Sequence, residues 1–412
     1  MSMTAPPPLS WLPFAIAEAS LTGTASGDRT PVEGWSYLLE RMATSASIVE
    51  ASGFARNRVD LTAGIRHLLV LLAVGIDEAL RVNPEPALRV ERTSTDDTIT
   101  WGMECPDCLY TRALMRGGES YRLHGNRGTA RYVGLQTMNG ISATANAVVD
   151  ELEIDAAGNF EVVLSAKRHA EHAGNWLRIE GAHPTLTVRH FFYDWDTEVP
   201  STLNIERIGV RANEHGHRVD PELAVSRQLA ALGDFVHDNL KFFLDFGSAP
   251  PANGFLPPID RTSIGAAAEN RPVIGRYELE PDEALILEVQ PPEGLYWSYS
   301  VGNPWWETIH YGRHQSSLNG HQIHLDADGA ARVVLCATDP GIANWLDTAG
   351  HSNGAMILRC VRTETAPTPH SRVVKFDDLA SSLPPDTRRV SPEERSAALA
   401  ARRQAVANRF AS

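Results

Sequence analysis

Between Pro31 and about Leu80 the apolar residues recur at helical spacing, Trp35, Leu38, Leu39 and Met42 in one stretch and Ile65, Leu68, Leu69, Leu72 and Ile76 in the next. The first hundred residues are therefore predicted to be mostly helical. From Ala87 to Thr100 the pattern changes to alternation. On to Gly209 the chain is dense in short apolar runs between Gly and Asn turns, among them Arg131 to Thr137 and Phe160 to Leu164. That pattern predicts antiparallel β-structure. Asp220-Pro221-Glu222 offers an N-cap, a proline suited to the first helical position and an early acid. A helix is expected from there through Leu232, Phe235 and Leu240 toward Phe246, separating two β regions. Gly247 to Asn270, with Pro250, Pro251, Pro257 and Pro258, reads as an extended connection, and strands resume from Arg271 to about Arg362. The tail opened by Ser391-Pro-Glu-Glu reads as a polar, Arg-rich helix. The expected divisions are a helical region over 1–100, a first β unit over 101–215, a connecting helix and linker over 216–270, a second β unit over 271–380 and a tail over 381–412.

The two β regions repeat each other. Asp155-Ala-Ala-Gly-Asn-Phe-Glu-Val-Val-Leu-Ser leads to Asn175-Trp-Leu, and Asp326-Ala-Asp-Gly-Ala-Ala-Arg-Val-Val-Leu-Cys leads to Asn344-Trp-Leu, an offset of 344 − 175 = 169 residues. Each Asn-Trp-Leu is followed by a turn with Gly and His, and then by Val188-Arg-His190 or Leu358-Arg-Cys360. Upstream, Tyr121-Arg-Leu-His and Tyr132-Val-Gly-Leu-Gln parallel Leu285-Ile-Leu-Glu and Tyr296-Trp-Ser-Tyr-Ser. The expected fold is mainly β with α additions: duplicated antiparallel sandwich or jelly-roll units, an N-terminal helical region and a C-terminal helix.

Composition narrows the chemistry. Against 37 Lys+Arg stand 51 Asp+Glu, a formal charge of −14, the wrong sign for holding a phosphate backbone, so no nucleic-acid partner is expected. Only Lys167, Lys241 and Lys375 are lysines, and none sits in a phosphate-binding loop. No uninterrupted apolar run approaches a bilayer span and the first residues lack a basic leader pattern, which predicts no membrane partner and a cytoplasmic location. Four cysteines are too few for a disulfide framework at 412 residues. Cys105-Pro-Asp-Cys108 has no second pair at zinc spacing and no thioredoxin-like setting, so ordinary thiols are expected. The spacing Gly209…His215-x-His217…Glu222 resembles half of a cupin metal motif, but Glu222 falls in a helix and Leu229 stands where glycine is needed. No metal and no cofactor is expected.

Pro106-Asp107 with Leu109-Tyr110, Asn175-Trp-Leu177, Phe192-Tyr-Asp-Trp-Asp-Thr-Glu198, Tyr296-Trp-Ser298, Trp305-Trp-Glu307 and Asn344-Trp-Leu-Asp-Thr-Ala-Gly-His351 resemble the bacterial domain-of-unknown-function family twelve-fourteen (DUF1214). The resemblance runs from about Met103 to Arg362. It implies an all-β, jelly-roll-like domain of unsettled chemistry, often beside a second uncharacterised β domain, and it supplies no catalytic set.

Three runs carry candidate chemistry. Asn303-Pro-Trp305-Trp306-Glu307-Thr-Ile-His310-Tyr311-Gly-Arg313-His314 gathers two indoles, an acid, imidazoles, a phenol and a guanidinium, the makings of a small-molecule pocket. Its plain alternative is core packing with a surface ion pair. Tyr193-Asp194-Trp195-Asp196 places two acids two residues apart, on one side of a strand if a strand forms, where repulsion would leave one carboxyl protonated beside a base. Turn capping or pairing with Arg189 or Arg207 is the alternative. His351, presented by a Gly turn with Asp347 four residues before it, has the form of an oriented acid or base, although His183 in the matching turn of the first unit speaks for a structural position.

These features favour a cofactor-independent enzyme, a dehydratase-type lyase or a hydrolase, acting on a small lipophilic or aromatic molecule. Asp194, Asp196, His351, Glu307 and His310 would exchange protons, while Trp305, Trp306, Tyr311, Arg313, Tyr193 and Trp195 would hold the substrate. The alternative is a non-catalytic binding or scaffold β-sandwich protein. A homo-oligomer is compatible with either. The enzyme reading requires the named side chains to converge on one cleft between the β units.

Overall fold

The computed structural model describes residues 10, 12–13, 15–16, 29–81, 91–92, 96, 98–140, 142–169, 172–209, 221–257 and 269–410. The N-terminal helical pattern forms α1 (Pro31–Ala51) and α2 (Arg58–Arg81). Thr30 opens α1 with a reciprocal capping box: its hydroxyl accepts from the Glu33 amide and the Glu33 carboxylate accepts from the Thr30 amide at 2.8 Å, ahead of Pro31. Helix α3 (Pro221–Ser248) packs on both through Leu38, Leu68, Leu71, Val74, Leu232, Phe235 and Val236. Asp220, its expected cap, lies outside the described residues, as do His215 and His217.

In chain order the first β unit contains β1 (Glu91–Arg92), β2 (Cys108–Leu114), β3 (Tyr121–Asn126), β4 (Tyr132–Asn139), β5 (Ser142–Val148), β6 (Asn159–Ser165), β7 (Trp176–Arg178), β8 (Thr185–Phe191) and β9 (Thr202–Arg207). They pair into sheets of order β1-β2-β8-β4-β5 and β7-β6-β3-β9. The second unit contains β10 (Gly254–Phe255), β11 (Val273–Glu278), β12 (Glu283–Val289), β13 (Gly294–Val301), β14 (Ser317–Asn319), β15 (Ala331–Cys336), β16 (Trp345–Asp347), β17 (Asn353–Thr363) and β18 (His370–Lys375). Its sheets run β10-β11-β17-β13-β14 and β16-β15-β12-β18. The two orders are the same topology, antiparallel except for β6 with β7 and β15 with β16. Each unit encloses its own apolar layer, Tyr121, Leu123, Val162, Leu164 and Val188 in the first and Leu285, Leu287, Val333, Leu335 and Leu358 in the second.

Register confirms the duplication residue by residue. Tyr121 pairs with Leu164 as Leu285 does with Leu335, Tyr132 with Phe191 as Tyr296 does with Val361, and Gly134 with Arg189 as Ser298 does with Arg359. The repeated Asn-Trp-Leu has a structural cause. Asn175 donates to the Glu153 and Glu161 carbonyls and Asn344 to the His324 and Arg332 carbonyls, each tying a loop to a strand, while the following Trp hydrogen-bonds back to the strand end.

Two buried carboxylates join these parts. Asp107, fully buried, accepts from Trp195 Nε1 at 2.7 Å in the first unit and from Tyr296 at 2.6 Å and Asn319 at 2.8 Å in the second. Asp60, also fully buried on α2, meets His351 Nδ1 at 2.7 Å and the Ser352 hydroxyl at 2.8 Å. Over the seam lies α4 (Pro392–Phe410), the Arg-rich helix expected, with Arg395, Arg402 and Arg409 on its buried face. Arg395 reaches Gln315, Asp339 and the ring of Trp345. Arg402 reaches the Tyr311 carbonyl, Ser317 and the ring of Trp195, and Arg409 the Pro106 carbonyl and the ring of Phe192. Seven-residue spacing keeps the three guanidinium groups on one side of the helix.

Among the described residues α2, over Arg58–Leu80, is long and apolar enough by length and composition to cross a membrane. Here one of its faces seats Asp60, Gly64 and His67 against the second unit. A Cβ on Gly64 would stand 2.5 Å from the Trp305 ring, so only glycine lets the indole approach.

Candidate functional site

The side chains singled out for proton transfer lie in different places, and Asp194, Glu307 and His351 are each held by a partner of their own. Strand β8 ends at Phe191, so Asp194 and Asp196 sit in a turn instead of on one face of a strand. Asp194 accepts from the Thr197 hydroxyl at 2.7 Å and the Asp196 amide at 3.0 Å, bonds that hold its carboxyl below the ordinary range. Asp196 is exposed. Tyr193 lies beside Tyr296, ring centres 5.6 Å apart, and burial pushes its phenol up to about 12. Trp195 is occupied by Asp107 and lies under Arg402.

The aromatic run Asn303 to His314 is interior packing, not the wall of a hollow. Trp305 is 1% exposed and donates to the Asp60 carbonyl at 2.9 Å. Trp306, at a positive φ of 63°, stacks on Phe243 of α3 at 5.3 Å. Glu307 is buried between Asn303, which donates to it at 2.6 Å, and His67 of α2, whose Nδ1 approaches at 3.1 Å off the hydrogen-bond line. Burial alone would raise its carboxyl, but the charge and contact of His67 with the Asn303 bond bring it below the ordinary value. The carbonyl of His310 accepts from the Arg313 and His314 amides in a surface turn, where Arg313 is exposed. Tyr311 is buried against α4.

His351 is oriented by a carboxylate, though not by Asp347. Asp347 takes His314 Nδ1 at 2.7 Å, and Asp60, 291 positions away, takes His351. Ala349 and Gly350, both at positive φ, form the turn that presents it. The residues missed in the sequence are thus Asp60, Gly64 and His67, at i, i+4 and i+7 on one face of α2. The available signal was an acid, a glycine and an imidazole recurring at helical spacing on a helix whose middle turns, Leu68 to Ile76, are apolar. The convergent cleft between the units is absent from the described residues, because the seam is filled by Phe191, Tyr132, Tyr296 and Val361.

An open concavity of about 1040 Å³ lies instead on the outer face of the β7-β6-β3-β9 sheet. Alternation builds it. Tyr121, Leu123, Phe160 and Val162 point into the sandwich, and Arg122, His124, Asn126, Asn159 and Glu161 point out. Glu206 on β9 joins them, bonded to Arg122, and Glu153, Asp155, His172 and Asn175 come from the bordering loops. Asn159 donates to Asp155 at 3.0 Å and accepts from Asn126 at 3.1 Å, which fixes that rim and holds the Asp155 carboxyl below its ordinary range. His172 Nε2 lies 2.9 Å from the Asn175 carbonyl. Four acids, Glu153, Asp155, Glu161 and Glu206, stand against Arg122, His124 and His172.

The equivalent face of the second unit is closed. By register Arg122 corresponds to Ile286, His124 to Glu288, Glu161 to Arg332 and Glu206 to Arg372. Ile286 and Val334 are covered by Leu379 and Leu383, and Arg332 is bound by Glu288, Asp326 and Asp328. Among the described residues no group of three or more His, Cys, Asp or Glu side chains is arranged to hold a metal ion.

Residues 276–365, most of the second unit, match the family DUF1214, described as a protein of unknown function. An uncharacterised protein from Burkholderia cenocepacia, solved by crystallography, is similar with a TM-score of 0.76 and 31% identity, over 88% of this chain and 100% of that one. The VPA0106 protein from Vibrio parahaemolyticus gives a TM-score of 0.46 at 13% identity, over 75% of this chain and 98% of that one. No curated protein matches.

Proposed function

The chain belongs to the DUF1214 family, and from that premise we propose that it is a non-catalytic binding protein that holds a small molecule rich in hydroxyl or amino groups on the outer face of its first β unit. The contrast between the duplicated faces carries this reading. The same sheet position is sealed by apolar residues in the second unit and left open and polar in the first. A surface built of amides, carboxylates and imidazoles suits a ligand that offers many hydrogen bonds, and the excess of acids disfavours an anion.

The test is thermal denaturation of the full chain with monosaccharides, polyols and polyamines. A ligand present at a hundred times its Kd adds about 2.7 kcal/mol of stability. His124→Ala and Glu161→Gln are exposed changes expected to cost under about 0.5 kcal/mol by themselves, yet to abolish the ligand-dependent rise. A panel that leaves the intact protein unmoved, or a rise that persists in both variants, rejects the proposal.

One observation favours a second reading, acid-base catalysis by a cofactor-independent lyase or hydrolase. Asp60 engages Nδ1 of His351 and so leaves Nε2 for a substrate proton. Of the residues proposed for proton transfer this version keeps His351 alone, with Asp60 as the positioning group. His351→Ala is then expected to reduce turnover of an alcohol or ester substrate by about 10²–10⁴. Turnover within a factor of two of the parent excludes the residue.

A further inference from the structure

The Cys105-Pro106-Asp107-Cys108 turn lies at the seam between the units, in neither site above. The Cys108 amide donates to the Cys105 carbonyl at 2.9 Å, closing a four-residue turn. The end Cα atoms of such a turn lie within about 7 Å, close to the span that a disulfide bridges. The two thiols are free and buried. Cys105 Sγ is also 3.3 Å from the Tyr296 hydroxyl.

The surroundings distinguish the two sulfurs from each other and from the rest. Burial raises Cys105, but the Cys108 hydrogen bond and the Arg359 guanidinium outweigh it and hold the thiol below its ordinary value, against the opposing charge of Asp107. Arg359 is itself fixed by Ser300 and the Met103 carbonyl. Cys108 is held well above its ordinary value by burial and by Cys105. Cys336 and Cys360 lie on separate strands, each pushed up to about 12 by burial. A cysteine beside a cation with a second cysteine in reach is the arrangement of a redox-active pair.

We propose that Cys105 and Cys108 are a peroxide-reactive dithiol, with Cys105 attacking and Cys108 resolving, that closes into a disulfide within its own turn. The sulfur of Cys105 attacks one oxygen of hydrogen peroxide, the O–O bond breaks, and the departing oxygen leaves as water with the thiol proton. Cys105 is then a sulfenic acid. The sulfur of Cys108 attacks it, the S–S bond forms, the S–O bond breaks, and a second water leaves with the Cys108 proton. Two thiols lose two electrons and two protons, and one peroxide becomes two waters. Cys105 is 1% and Cys108 3% exposed, so the reaction requires the seam to open far enough to admit hydrogen peroxide.

The experiment treats the full-length chain with hydrogen peroxide and reads intact mass, free thiols and alkylated peptides. The expected result is loss of two hydrogens per chain, disappearance of two of the four thiols, and a disulfide mapped to 105–108 that dithiothreitol reverses. Cys108→Ser should stop at a sulfenic acid on Cys105 that dimedone traps, and Cys105→Ser should be at least ten-fold slower to oxidise. A double Cys336→Ser, Cys360→Ser variant should behave as the parent. Survival of all four thiols, oxidation of Cys336 or Cys360 at the same rate, or undiminished oxidation in Cys105→Ser overturns the proposal.

Discussion

Asp107→Ala is expected to lower stability by about 3–5 kcal/mol, the cost of breaking a buried charged contact by removing one partner. No part of Asp107 is exposed, and its two oxygens satisfy three donors drawn from both β units, Trp195, Tyr296 and Asn319. Alanine leaves those donors buried without acceptors. It also removes a negative charge that favours the charged forms of Arg402 and Arg409, which burial already disfavours. At about 1.2 °C per kcal/mol for a chain of this length the thermal midpoint should fall by about 4–6 °C. Asp107→Asn keeps the volume and one acceptor, and should fall between. A loss for alanine below about 1 kcal/mol, read by urea or thermal denaturation, means that the seam is not held by this residue.

Asp60→Ala should match that loss in size but differ in where it acts. Its carboxylate binds His351 and Ser352, with Asn353 Nδ2 at 3.4 Å, so truncation removes the acceptor of a buried set that pins α2 to the second unit. Again about 3–5 kcal/mol is expected, and the amides of α1 and α2 should exchange faster while those of β12 and β15 keep their protection. For Asp107→Ala exchange should instead rise in strands of both units. Pairing Asp60→Ala with His351→Ala should give less than the sum of the two losses, since they share one contact. Strict additivity, or unchanged exchange in α2, would count against Asp60 as the anchor.

Much of the fold was legible in the sequence because its constraints are local and occur twice. The Asn-Trp-Leu and Val-Val-Leu landmarks recur since each unit must tie the same loop to the same strand, and the matched registers at Tyr121 and Leu285 follow directly. The partners of the candidate residues were not legible, because they are distant in the chain. Asp347 was the near carboxylate for His351, yet Asp60 is the one that reaches it. The run Asn303 to His314 misled because buried aromatic packing and an aromatic pocket draw on the same residue types. What separates them is whether each polar side chain already has a neighbour of its own, as Glu307 has in Asn303 and in His67 at 3.1 Å, and that depends on a helix more than two hundred residues upstream. The open face of the first unit did leave a trace. Arg122, His124 and Asn126 alternate with Tyr121, Leu123 and Gly125, whereas the second unit has Ile286 at the matching outward position.

The arginine row of α4 bears on the order in which the chain can mature. Arg395 grips the second unit, Arg402 the junction and Arg409 the first, through planar groups that stack on indole and phenyl rings as lysine would not. Each sandwich can condense as it leaves the ribosome. The arginine clasp waits for residues 392–410, which are synthesised after both, so until then the two halves rest on the Asp107 contacts and the packed seam alone.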